Sequence, residues 1–345
     1  MNQHAWFLSE LKSIPSNGIK VMSTFACGGG SSMGYKLAGC EVIAANDIDP
    51  EMAYHYKLNL NPQYYFLCPI KDLLNISLPK EIYSLDILDG SPPCSTFSMS
   101  GNREKDWGVN KLFREGQAKQ VLSDLFFDYL DVVEYLRPKV AIAENVKGLI
   151  SGNAKVYTKK IFTRLKEIGY KPQLFLINSA NCGVPQIRER VFFIALRDDI
   201  KRSPLILNPN QKWITVGEAT SDLQQLTDDE IQETIPSRND LKCWPNTPKG
   251  RLYKEFIQKT EHRLSSFNAA RLDDNKPSRT LLSRSLYTHW SQCRTLTFRE
   301  CKRLASFPDD YIAKTPKIGN YMLGMSVPPK MTKVIAEHVI SQWLM

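Results

Sequence analysis

The chain has 345 residues, 42% of them hydrophobic and 23% charged, an ordinary globular composition with enough length for one large core and a smaller second lobe. No window approaches about 18 consecutive apolar residues, and the first ten residues show no basic-then-apolar leader, which argues against a membrane span or a secretory signal. The eight cysteines lack CxxC spacing and read as reduced thiols of a cytosolic protein, with no structural zinc site, while the net charge of +9 suits a polyanionic partner without requiring one.

Along residues 1–197, β-prone runs alternate with helical patterns. The runs fall at 20–25, 41–46, 85–89, 140–143, 174–177 and 191–196. Apolar residues at three- and four-residue steps predict helices over 117–136 and 154–168. Such alternation predicts an α/β fold, a mostly parallel sheet with helices on both faces. Ligands of such sheets bind beyond the carboxyl ends of the strands, and the glycine-rich and polar clusters of this chain sit there. Residues 198–270 carry several Pro-Asn and Pro-Ser stretches with weak periodicity and read as a smaller, irregular lobe. Order returns after residue 271, with helices expected over 297–307 and 330–343. The basic excess concentrates in these later segments: 12 Lys/Arg against 6 Asp/Glu over 271–345, and 7 against 3 over 235–270.

Four clusters carry possible chemistry. The turn from Phe25 through Cys27, Gly28, Gly29 and Gly30 to Gly34 lets a ligand approach backbone amides at a helix start, although a plain tight turn uses the same residues. Asp47 ends the next strand, where a carboxylate can accept from ribose hydroxyls. Cys94 follows Ser91, Pro92 and Pro93 at a strand end; the prolines stiffen the loop, but an isolated cysteine is more often a buried hydrophobe than a nucleophile. Glu144 closes a neighbouring strand, where it is either a partly desolvated acid, protonated near neutral pH, or a helix N-cap or one half of an ion pair. Arg188 and Arg190, two apart in a strand-like segment, are expected to face one side and point at a carbonyl or phosphate, unless they form a surface salt-bridge ladder.

In combination these residues resemble the DNA cytosine carbon-5 methyltransferases, of the bacterial restriction-modification type. The resemblance covers nearly the whole chain in the family's motif order: Phe25 to Gly34, Ser91-Pro92-Pro93-Cys94, Glu144-Asn145-Val146, Gln186-Ile187-Arg188-Glu189-Arg190, the segment 271–281, and Gly324-Met325-Ser326-Val327. It implies an S-adenosylmethionine-dependent, Rossmann-like catalytic and cofactor-binding domain over 1–197. A target-recognition domain over 198–270 follows, and a return segment over 271–345 completes the catalytic domain. It implies a cytoplasmic, monomeric enzyme acting on double-stranded DNA without a metal, with a cognate restriction endonuclease as a companion that forms no stable complex.

The resemblance also assigns roles. Cys94 is the nucleophile that adds to carbon 6 of cytosine, Glu144 handles the proton at ring nitrogen 3, Arg190 holds the ring carbonyl with Arg188 beside it, and Asn145 braces the Cys94 loop. S-adenosylmethionine is expected against Phe25, Gly28, Gly29, Gly30, Asp47, Ile48, Ile70, Pro93, Leu125 and Ser326. The base must leave the stack, so the polar stretch from Ser95 to Gly116 reads as a closing lid. Ser98 and Arg103 are expected on DNA phosphates, and Arg238, Arg251, Lys254 and Arg263 are DNA-contact candidates of the second lobe. Three positions depart from the family pattern. Cys27 and Met325 replace a usual glycine and asparagine, and Pro69 stands where an aspartate usually precedes the adenine-contacting Ile70. Methylation of a transfer RNA cytosine and methylation of an exocyclic amine are alternative activities, and a DNA-binding relative without catalysis is the alternative of a different class.

Overall fold

In the computed structural model, the described residues are 2–93, 110–111, 120–121, 125–152, 154–257, 269–284 and 287–345. They pack as two units. One comprises Leu11–Asn178, Glu189–Pro209 and Met331–Met345, and the other Met1–Glu10, Ser179–Arg188 and Asn210–Lys330. Of the segment expected to return to the catalytic domain, 331–345 packs with the first unit, and 271–330 packs with the second.

The first unit is built on seven strands: β1 (Lys20–Thr24), β2 (Glu41–Asp47), β3 (Tyr64–Leu67), β4 (Ile87–Gly90), β5 (Val140–Val146), β6 (Tyr170–Asn178) and β7 (Glu189–Arg197). Their order across the sheet is β3-β2-β1-β4-β5-β7-β6. The pairings through β5 are parallel, and β7 runs antiparallel to both of its neighbours. The expected Rossmann-like α/β fold is therefore the observed one. Strand β3 was not anticipated: its Tyr-Tyr-Phe-Leu run is only half-buried and has no apolar alternation.

Four helices connect these strands: α1 (Gly30–Leu37), α2 (Pro50–Leu60), α3 (Leu125–Leu136) and α4 (Ala154–Glu167). Alternation of side chains along each strand divides the sheet into two faces. Met22, Leu88 and Ala141 lie in register and pack with Phe126, Tyr129, Ile161 and Leu165 of α3 and α4. Ser23, Asp89 and Ile142 face the other way, where Tyr35 of α1 reaches Asp89. Of the helix expected over 117–136, Leu125–Leu136 is helical among the described residues, and Gln120–Val121 instead forms a two-residue antiparallel pairing with Asn110–Lys111. A helix pattern cannot register a short backbone pairing made upstream of it.

Strand β4 ends where α3 is fastened down. Tyr129 donates its hydroxyl to the carbonyls of Leu88 (2.9 Å) and Ile142 (3.0 Å). A Cβ on Gly90 would stand 2.7 Å from both Thr24 Oγ1 and Tyr129 Cε2, so only glycine fits this crossing of strand and helix.

In the second unit much of the basic excess is consumed internally. Arg294 makes a two-pronged pair with Glu300 (2.9 and 2.8 Å), and Arg303 binds Asp222 (3.0 Å) and Asp309. Arg299 holds Glu230 through Nε and Nη2. Arg294, Lys302 and Arg303 are buried, so the count of positive charges over 271–345 overstates what reaches solvent.

Candidate active site

Strand β1 runs into a glycine turn whose backbone is left-handed at Phe25 (φ 52°), Cys27 (φ 45°) and Gly29 (φ 84°). Gly29 caps α1, and a Cβ there would stand 2.4 Å from Leu60 Cδ1, so both conformation and space select glycine. Cys27 adopts the same left-handed region with a side chain, at a cost of about 1–2 kcal/mol. This is the strain expected where the family pattern has glycine.

Asp47 at the end of β2 holds this turn in place. Its Oδ2 accepts the Cys27 amide at 2.8 Å and its Oδ1 the Asp49 amide at 2.9 Å. Burial pushes the Asp47 carboxyl up to about 6, although the backbone donors from Asp49 and Cys27 pull it down. Asp49 in turn caps α2 by accepting from Glu51 and Met52, with Pro50 in the first turn. The half-buried Ile48 lies between these two acids.

Asn46, which sequence reasoning passed over, ties β2 to the segment after β3. Its Nδ2 donates to the carbonyls of Phe66 and Cys68, each at 2.9 Å, immediately before Pro69 and the buried Ile70. Phe25 packs against the core cluster that contains Ile70 and Leu125. The combination of helix-start amides, a carboxylate and an apolar flank suits a nucleotide-like ligand with an anionic group.

The ends of β4, β5 and β7 form the second half of the site. Arg190 Nε lies 2.9 Å from Glu144 Oε1, both side chains mostly buried. Register pairs Glu144 with Phe192 and Val146 with Arg190, so Glu144 and Arg190 are diagonal neighbours on one face. Burial lowers the Arg190 guanidinium from its usual value, and Glu144 opposes that shift. The structure shows Glu144 in an ion pair and, at the same time, mostly buried. Asn145, 4% exposed, donates from Nδ2 to the Pro92 carbonyl at 3.1 Å and so fixes the backbone two residues before position 94.

Arg188 serves elsewhere. It precedes β7, and within the second unit its guanidinium donates to the carbonyls of Leu281 (3.2 Å) and Gly324 (2.9 Å). The expected pair of arginines sharing one target therefore divides its work, because only Arg190 lies on the strand. Ser326 is buried in that unit, its hydroxyl unpartnered among the described residues, and Met325 is exposed. Arg238 is exposed and Lys254 half-buried; Arg251 is exposed but engaged with Glu255 at 2.7 Å. Pro93 is half-buried. Cys94, Ser98, Arg103 and Arg263, with the greater part of the 95–116 stretch, lie outside the described residues.

Known proteins resemble this chain over most of its length. The family model for C-5 cytosine-specific DNA methylases matches residues 19–341. The Type II methyltransferase M.DdeI of Desulfomicrobium norvegicum is 29% identical over 93% of this chain and 88% of its own length. M.NgoFVII of Neisseria gonorrhoeae is 29% identical over 94% of this chain and 87% of its own length. Among solved structures, a DNMT2 variant from Spodoptera frugiperda superposes with a TM-score of 0.66 at 17% identity, covering 94% of this chain and all of that one, which is a likeness of fold.

Proposed function

The chain belongs to the C-5 cytosine-specific DNA methylase family, and from that premise we propose that it moves a methyl group from S-adenosylmethionine to carbon 5 of a cytosine turned out of a specific duplex DNA sequence. The observation that carries this reading is the grouping at the ends of β4, β5 and β7: the Glu144–Arg190 pair, and Asn145 holding the backbone that leads into Cys94.

The cofactor half fits that donor. The turn of Gly28, Gly29 and Gly30 brings a carboxylate to the positive end of α1, with the Gly29 amide itself given to the Ala26 carbonyl. Asp47, oriented by two backbone amides, keeps lone pairs for ribose hydroxyls. Ile48 and Ile70 offer apolar surface to adenine; Phe25, Pro93, Leu125 and Ser326 are assigned by position alone. When bound, this cofactor supplies an electrophilic methyl on a sulfonium.

On the base, the Cys94 sulfur bonds to carbon 6 while Glu144 shares a proton with ring nitrogen 3 and Arg190 receives the negative end of the ring carbonyl. Carbon 5, made electron-rich by that addition, takes the methyl. Loss of the carbon-5 proton to solvent then expels the sulfur and restores the ring. Opening the duplex falls to the 95–116 stretch with Ser98 and Arg103, and sequence readout to the second unit through Arg238, Arg251, Lys254 and Arg263. Arg188, anchored on Leu281 and Gly324, does not touch the ring. The enzyme is proposed to act as a cytoplasmic monomer, and a restriction endonuclease of the same specificity is its expected functional companion.

Bisulfite sequencing of DNA from cells expressing the chain tests this reading. Protected cytosines should fall in one short sequence motif. Fully converted DNA alongside methyl-labelled transfer RNA would transfer the assignment to RNA.

Cofactor binding should also depend on pH. Ribose hydroxyls donate to ionised Asp47, whose carboxyl is raised to about 6. Affinity for S-adenosylhomocysteine should therefore be full above neutrality and fall as pH drops through 6, by roughly tenfold per unit below it. Calorimetric titration from pH 5 to 8 should show that slope in the wild type and a flat profile in Asp47→Asn. A flat wild-type profile would remove Asp47 from the ribose.

A further inference from the structure

Strand β4 contains an acid that the fold buries. Asp89 is 3% exposed in the run Ile87-Leu88-Asp89-Gly90, every residue of which is buried. Its Oδ2 accepts from Ser23 Oγ and its Oδ1 from the Tyr35 hydroxyl, both at 3.0 Å, and Ser31 donates as well. Among the described residues no cation pairs with it. A buried carboxyl held only by hydroxyls is costly, and fold stability alone gives no reason for one here.

Its placement supplies the reason. The parallel register sets Asp89 opposite Ile142, so Asp89 and Glu144 project from the same face of neighbouring strands, one diagonal step apart. We propose that Asp89 is a positioning residue of methyl transfer: it sets a solvent-screened negative charge beside the Glu144–Arg190 pair, where that charge favours the proton Glu144 shares with the pyrimidine ring. The inference rests on the proton role proposed above for Glu144.

The groups that face Asp89 limit what can titrate beside it. Tyr35 of α1 and Tyr56 of α2, and Tyr129 of α3 on the opposite face of the sheet, are all pushed above the ordinary tyrosine range, first by burial, and stay uncharged at neutral pH. Glu144 of β5 is engaged with Arg190 of β7. Burial, with a smaller contribution from Glu144, raises the Asp89 carboxyl to about 7, against the donors Ser23, Tyr35 and Ser31. Because the group is an acid, it is neutral below that value and charged above it. The help it gives to transfer thus grows as pH rises through about 7.

Single-turnover methyl transfer from saturating labelled S-adenosylmethionine to unmethylated plasmid DNA, from pH 6 to 8.5, tests the assignment. Asp89→Asn should run close to wild type at pH 6 and about tenfold slower at pH 8.5, the size expected of one charge acting across a strand at an effective dielectric constant of some tens. The ratio of the two rates cancels the common effect of pH on the Cys94 thiol. A deficit that is the same at every pH would mean a structural role only and would overturn the inference. Tyr35→Phe keeps the carboxyl but removes one donor, so its rate gain should move to higher pH; this variant decides the matter should Asp89→Asn fail to fold, and an unmoved profile counts against the inference. Glu144→Gln assayed in parallel separates the two levels. If it is fully active, the proton role itself falls; if it is inactive while the Asp89→Asn deficit is flat, only the role of Asp89 falls.

Discussion

Replacing Cys94 by alanine should reduce methyl transfer by on the order of 10⁴-fold or more while leaving binding of S-adenosylhomocysteine and of DNA intact. Carbon 5 of cytosine is a weak nucleophile, and only addition at carbon 6 gives it the electron density to take a methyl. Alanine supplies no atom for that bond. The contacts that shape the cofactor half run from Asp47 to the Cys27 and Asp49 amides and from Asn46 to the Phe66 and Cys68 carbonyls. The loss should therefore appear in the transfer rate and not in ligand affinity. Duplex DNA carrying 5-fluorocytosine at the target site should trap the wild type covalently, because fluorine cannot leave as the carbon-5 proton does. The alanine variant should give no adduct in the same denaturing gel. Appreciable turnover by the variant would mean that another group activates the ring.

The sheet was legible in part because strands stop at an acid or a glycine, as at Asp47 and Gly90. Those stops are the strand ends where the site assembles, so fold and site could be read from the same residues. Cys27 shows the same connection: its left-handed backbone follows from its place in the glycine turn. What stayed hidden depended on partners that only the topology brings together. Asp89 reads in sequence as an ordinary acid, although an acid inside an apolar strand run was a usable signal. Its satisfaction by Ser23 and Tyr35 requires β1, α1 and β4 to be adjacent. Asn46 likewise gains its task only when β3 pairs with β2. Arg188 misled because a two-residue period implies a shared face only within a strand, and β7 starts one residue later. Counting charges misled for a related reason: Arg294 and Arg303 are spent on Glu300, Asp222 and Asp309.

Glu144→Gln should lower the transfer rate by about 10²- to 10⁴-fold, the range of a lost general acid–base contribution. The amide keeps the shape of the side chain and can still accept an N–H of Arg190 through its oxygen, so the geometry at the ends of β5 and β7 should survive. It can neither give up nor regain a proton at ring nitrogen 3. It also leaves a largely buried guanidinium without its counter-charge, 2.9 Å away in the wild type, which should cost about 1–3 kcal/mol of stability. The two effects separate by temperature and by ligand. Thermal unfolding of the free protein reports the broken pair, while transfer measured well below the midpoint reports the missing proton. Arg190→Lys makes the complementary change: it preserves the charge beside Glu144 but not the planar fork that suits a carbonyl. Its stability should stay closer to wild type than that of Glu144→Gln, while its transfer rate still falls. If Glu144→Gln loses stability but transfers methyl at the wild-type rate, the pair is a structural clamp, and the proton on the ring comes from a different donor.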